Sequence, residues 1–195
     1  LGHSMGSYLL RKYLALHGEG VDKAVVMGTG DVPQGQSEMG LLVIRILTAF
    51  HGEEYRSRLV QELTYNRFYR KFDLTGKDPA NSWLTKDAEI VRRYYEDPRC
   101  TFLFTLNAYK GLVETALYDA RPKSIRKIPK SIRILLASGA DDPVGDLSAG
   151  VQRTYEKFRA AGLNVQIKLY PGDRHEILNE TDRGQVWKDM LAFFK

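Results

Sequence analysis

Near one end of the chain, Gly2-His3-Ser4-Met5-Gly6 sets a serine between two glycines at the G-x-S-x-G spacing. Small residues on both sides let a backbone turn sharply from strand to helix, and a serine at the apex then stands clear of the sheet as a nucleophile. Leu9, Leu10, Tyr13 and Leu14 follow at helical spacing between Ser7 and Leu16. Ser4 is therefore expected at the positive end of a helix dipole, with the Met5 amide able to donate to an oxyanion. The plainer alternative for the same five residues is a serine capping a glycine turn.

A serine hydroxyl needs a base to take its proton and an acid to orient that base. In a sheet carrying such an elbow, the chain order is serine, acid, histidine. Three carboxylates compete for the acid in Gly139-Ala140-Asp141-Asp142-Pro143-Val144-Gly145-Asp146. Asp142 is favoured, because Pro143 pushes it out of the helical region into an extended loop conformation. Asp141 reads as a loop hydrogen-bonder or a solvated group, and Asp146 as the N-cap of the next helix. His175 is the candidate base, in the turn Tyr170-Pro171-Gly172-Asp173-Arg174-His175-Glu176 after the last strand pattern. His3 adjoins the serine in an extended segment whose side chains alternate, so it reads as packed rather than as a base. His17 and His51 read as structural.

These residues need elements to carry them, and the texture of the chain supplies α/β elements at both ends. Asp22 to Gly28 and Ile132 to Gly139 are short apolar runs bounded by turn residues, as in strands buried on both faces of a parallel sheet. Asn164 to Tyr170 alternates Val165, Ile167 and Leu169 as a third strand. Helices are expected over Ser7 to Leu16, ended by Gly18 and Gly20, over Leu147 to Ala161, ended by Gly162, and over Asp182 to Lys195. Between Val32 and Ala120 the strand signals vanish, and thirteen of the 21 aromatic residues fall there, so this stretch has an apolar surface of its own. Met39 to Phe50, apolar on nearly all sides, suits a helix packed on one face and lining a cavity on the other. The expected organisation is an α/β core formed by 1–31 and 121–195, with 32–120 inserted as a helical cap.

Composition bounds the function. With 43% hydrophobic and 27% charged residues in 195, the chain is an ordinary globular one, neither disordered nor fibrous. The net charge of +5 gathers partly between Arg121 and Arg133, where Pro122 and Pro129 interrupt it, so a solvated connector is expected rather than a nucleic-acid surface. Cys100 is the sole cysteine, which excludes an internal disulfide, and the scattered histidines give no metal-ligand set. Neither a dinucleotide fingerprint nor a phosphate loop is present, so no cofactor is expected. No apolar run approaches the roughly 18 residues of a membrane span, and a reducing cytoplasm is the default compartment. The opening Leu1-Gly2-His3-Ser4 has no initiator Met and reads as a chain cut in mid-fold, with earlier strands lying upstream and the isolated chain poorly soluble and inactive.

The sequence resembles the α/β-hydrolase fold, and within it the monoacylglycerol lipase, lysophospholipase and serine aminopeptidase-like group. The resemblance rests on GHSMG at 2–6, SGADDPVGD at 138–146 and KLYPGDRHEILNE at 168–180. Within the insertion, YNRF, WLTKD and YYEDP look like the group's bacterial members. The resemblance implies Ser4 as nucleophile, Asp142 as orienting acid, His175 as base and the Met5 amide as one oxyanion donor. It implies a serine ester hydrolase acting on a small-molecule ester or lipid, with a peptidase or amidase, or a non-catalytic binding domain, as the alternatives.

Overall fold

A computed structural model describes residues 1–65 and 67–195; Asn66, inside the YNRF motif, lies outside the described residues. Four parallel strands, β1 (Gly2–His3), β2 (Lys23–Met27), β3 (Arg133–Gly139) and β4 (Asn164–Tyr170), lie side by side in chain order. The two apolar runs and the alternating segment thus become β2 to β4, and the elbow adds a two-residue strand, with Gly2 opposite Val26 and His3 opposite Met27.

The period-2 alternation of the strands divides the core into two layers. On one face Ala24, Val26, Ile134, Leu136 and Val165 pack against Leu14 of helix α1 (Met5–His17). On the other, Val25, Met27, Leu135 and Ala137 meet Tyr170 and Ile177. Each fully buried Val or Leu contributes about 1.5–3 kcal/mol, which explains why β2 and β3 read as continuous apolar runs.

Between β2 and β3 run α2 (Gln34–His51), α3 (Arg58–Thr64), α4 (Ala88–Glu96), α5 (Leu106–Ala120) and the short α6 (Pro122–Ile125), with 3₁₀ turns at Arg67–Lys71 and Pro79–Asn81. Ser57, Asp87 and Thr105 cap α3, α4 and α5 through their side chains. Ile44, Val60, Leu106 and Tyr109 form a separate small core here. α2 buries Leu41 and Ile44, but Met39, Leu42, Ile46 and Phe50 point to solvent; the face expected to line a cavity is open. The basic residues from Arg121 to Arg133 are all exposed around α6, while Ile125 and Ile128 are buried beneath them.

α7 (Ala149–Ala160) links β3 to β4 and adds Val151 and Phe158 to the first core layer. α8 (Arg183–Phe194) follows β4 and packs Val186, Met190 and Phe193 on the second. The expected N-cap Asp146 is corrected: Ser148 holds the cap position, and Asp146 lies two residues before it with its carboxylate 2.5 Å from Arg153 Nη2. Asp146, Leu147 and Ser148 all take positive φ (52°, 53° and 78°), so the chain makes a left-handed turn before α7 that leaves Asp146 ahead of the cap position. No helix of the described residues is long and apolar enough to cross a membrane.

Candidate active site

Ser4 sits where β1 becomes α1, at φ 55° and ψ −123°, a conformation costly for a residue with a Cβ. Neighbours hold it there: its N–H donates to Met27 O (3.0 Å), and its carbonyl accepts from Ser7 N (2.9 Å) and Ser7 Oγ (2.6 Å). A methyl on Gly2 would lie 2.3 Å from Gly6 O, so the turn demands a glycine at that position. A methyl on Gly6 would meet nothing within 4 Å, so of the two glycines it is Gly2 that close contact requires. Met5 is the first residue of α1, so its N–H is one of the donors a helix start leaves without an intrahelical acceptor.

The loop after β3 presents Asp142, fully buried. Its Oδ1 accepts from Val144 N (2.8 Å), the local turn that an Asp before proline favours, and its Oδ2 lies 3.3 Å from Ser138 Oγ. Oδ2 is also 3.0 Å from Nδ1 of His175, in the loop after β4. Asp141 turns away and uses its amide to bond Asp173 O (2.9 Å).

His175 is buried as well. Burial alone would lower its pKa; the charge and hydrogen bond of Asp142, with a smaller contribution from Glu176, outweigh burial and leave it raised above the ordinary 6.5. With Asp142 accepting at Nδ1, the ring carries its proton there and offers Nε2 as the basic nitrogen. Nε2 is buried and has no hydrogen-bond partner among the described residues, so Ser4 Oγ and His175 are not bonded to each other in this state. Apo sites are often loose in this way and tighten when a substrate is bound.

Two rings flank the imidazole. His3 is centred 4.6 Å away, and its Nε2 lies 3.0 Å from His175 O. Burial and the neighbouring His175 depress the His3 pKa, so the ring is neutral and donates from Nε2. Trp83 is centred 5.1 Å away on the other element and accepts from His175 N through its carbonyl (3.4 Å). Tyr69 and Tyr65 continue the aromatic row beyond Trp83. His17 and His51 are exposed and stand outside this cluster, beside Tyr13 and Tyr55.

The sequence reading did not assign roles to Trp83, Lys86, Arg174 or Glu180, although all four lie inside the segments WLTKD and KLYPGDRHEILNE. The carboxylates of Asp173, Glu180 and Asp182 converge within 4.8 Å, a spacing that could hold a cation. The Lys86 ammonium supplies that charge, 2.6 Å from Asp173 and 3.4 Å from Asp182.

A parallel sheet with helices on both faces, a strained serine between strand and helix, and a buried Asp–His pair on the loops after the next strands define an α/β-hydrolase fold. The chain belongs to the Hydrolase_4 family, described as serine aminopeptidase, S33, which matches residues 1–182. A highly thermostable carboxyl esterase from Bacillus coagulans, solved in complex with glycerol, superposes with a TM-score of 0.86 at 29% identity over 99% of this chain. A lipase in its open form gives 0.84 at 25% over 98%. A soluble variant of monoglyceride lipase from Saccharomyces cerevisiae shares the fold, at 0.69 and 21% over 98%. The chain spans 62% of the length of each of these three proteins.

Proposed function

We propose that this chain carries the catalytic serine, base and acid of a carboxylic-ester hydrolase for lipophilic monoacyl substrates such as monoacylglycerols or lysophospholipids. The observation that carries the reading is the buried 3.0 Å contact between His175 Nδ1 and Asp142 Oδ2 beside a strained Ser4. Ser4 Oγ attacks the ester carbonyl while His175 Nε2 takes its proton. Asp142 holds the Nδ1–H and stabilises the imidazolium, and the Met5 N–H donates to the oxyanion. His175 then protonates the departing alkoxide, which leaves an acyl-serine. Water attacks that ester with His175 again as base, releasing the carboxylic acid and restoring the Ser4 hydroxyl.

The substrate class is supported by the aromatic row Tyr65, Tyr69 and Trp83 leading to His175, and by the exposed apolar side chains of α2. Apolar walls bind an acyl chain and leave peptide amides without partners. In this reading 32–120 form a helical cap over a core of 1–31 and 121–195. The family's description favours a second reading, an aminopeptidase.

Full-length protein and its Ser4→Ala variant, assayed on a monoacylglycerol and an aminoacyl arylamide, test both. Expected are ester preference, labelling by a fluorophosphonate, and a loss of about 10⁴–10⁶ in kcat for Ser4→Ala. More than a tenth of the activity surviving in Ser4→Ala removes the nucleophile assignment, and a preference for the arylamide favours the peptidase.

A further inference from the structure

Glu180 is fully buried, and each of its two oxygens accepts from a main-chain N–H. Its Oε1 accepts from Arg174 N (2.7 Å), the amide that precedes His175. Its Oε2 accepts from Lys86 N (2.8 Å) and lies 3.0 Å from Thr85 Oγ1. One carboxylate thus joins the loop carrying His175 to the strap 82–86, which approaches from the insertion between β2 and β3.

The join is reinforced along its length. Arg174 Nη1 donates to the carbonyls of Ala80 (3.1 Å), Ser82 (2.5 Å) and Thr85 (3.3 Å). His175 N and Glu176 N donate to Trp83 O and Leu84 O, at 3.4 and 2.7 Å. The Lys86 ammonium on Asp173 adds charge pairing at the rim. The strap is therefore fastened to the loop by main-chain bonds at 175 and 176, and Trp83 lies against the imidazole as a result.

We propose that Glu180 is a positioning residue that sets the His175 loop against the strap and so holds the imidazole between Trp83 and His3, on Asp142. The role rests on the hydrolase reading above. A carboxylate is required because each of its two oxygens accepts from a main-chain N–H, Arg174 at one and Lys86 at the other. The isosteric Glu180→Gln turns an NH₂ group toward donors at one end, so the loop or the strap must withdraw.

The test is kcat per active site, counted by fluorophosphonate titration of the full-length protein, together with KM and the pH profile. For Glu180→Gln, kcat per site is expected to fall by about 10- to 100-fold with little change in KM, in line with a displacement near 1 Å. The acid limb of the profile, set by His175 facing Asp142, Glu176 and His3, moves to lower pH as contact with Asp142 loosens. A merely structural role would lower the melting temperature and the fraction of titratable sites while leaving kcat per site and the acid limb unchanged, and that result overturns the proposal. If Glu180→Gln does not fold, Glu180→Asp decides: it keeps the carboxylate and withdraws it by one methylene from Arg174 N and Lys86 N. A fall of several-fold in kcat per site with the same shift of the limb supports the role, and wild-type values overturn it. Ser4→Ala separates the two readings, because an active Ser4→Ala protein refutes the hydrolase mechanism, whereas an inactive one beside an unaffected Glu180→Gln refutes this inference alone.

Discussion

Gly139, the last residue of β3, has almost no room around its Cα. A methyl there would lie 2.1 Å from Arg174 O and 2.2 Å from Asp173 O, both main-chain atoms. Its φ is not in the left-handed region, so Gly139→Ala acts by contact alone. Relief to an ordinary separation moves the 173–175 loop by about 1 Å, since a side chain cannot swing aside on behalf of a carbonyl. That displacement threatens the Asp141 N to Asp173 O bond (2.9 Å) and stretches His175 to Asp142 from 3.0 Å toward 4 Å, beyond hydrogen-bond length. The expected outcome is a loss of about 10²-fold in kcat per titrated site and about 1–3 kcal/mol of stability. At about 2–4 °C per kcal/mol, the melting temperature falls by roughly 2–12 °C. The assay is hydrolysis of a short aryl ester, normalised by fluorophosphonate titration, beside a thermal melt. Gly184→Ala, in α8 where a methyl meets nothing within 4 Å, is the control and gains about 0.5–1 kcal/mol. Wild-type kcat per site with an unchanged melting temperature in Gly139→Ala would refute the claim that this close approach sets the base.

Asp142→Asn should lower kcat by about 10²–10⁴-fold by favouring the wrong histidine tautomer, whereas Asp141→Asn should leave kcat near wild type, since only its amide is engaged; exchanged outcomes would mean that the loop is misread. Because the raised His175 must be neutral to act, kcat/KM should rise with pH through a midpoint above 6.5, and in Asp142→Asn, where burial acts without the carboxylate's charge, any residual activity should show a midpoint below 6.5. The same shift stabilises the fold below the unfolded histidine pKa and is lost as pH rises through the folded one, so denaturant titration should find this contribution at pH 6 and not at pH 9. Burial raises the Asp119 carboxyl to about 7, and Arg11 keeps its bonds to Thr29 Oγ1 and Gly30 O without it, so Asp119→Asn should change stability little at pH 6 and leave the Asp142–His175 contact alone, as denaturant unfolding would show.

Strands β2 and β3 were legible because burial on both faces writes itself as an apolar run bounded by turn residues, and β4 because Val165, Ile167 and Leu169 alternate with polar residues. The contact between Asp142 and His175 was legible too, through proline restriction and the order of elements. Features that depend on partners distant in the chain were not. Glu180 meets Thr85 across 95 positions, and no local pattern distinguishes it from a surface glutamate after a turn. His3 read as packed, but its bond to the His175 carbonyl spans 172 positions. Asp146 was misplaced because Leu147 carries no mark of a left-handed conformation; Gly or Asn there would have signalled the turn. The open side of α2 was misread because an apolar helix face does not state whether it meets a cavity or water.

The register of the sheet also orders its assembly. β3 and β4 pair over seven residues, Arg133 with Asn164 through Gly139 with Tyr170, and only about 30 residues of chain separate them. β2 pairs with β3 through Lys23 and Arg133, about 110 residues apart, so this pairing closes a far longer loop before any contact repays it. The β3–α7–β4 unit is thus the natural nucleus, already containing Asp142 at one strand end. By the same loop-closure cost, β2 and the elbow are expected to join β3 after β4 has done so. Contact between Ser4 and the loops carrying Asp142 and His175 therefore waits on the longer of the two loop closures, the one that joins β2 to β3.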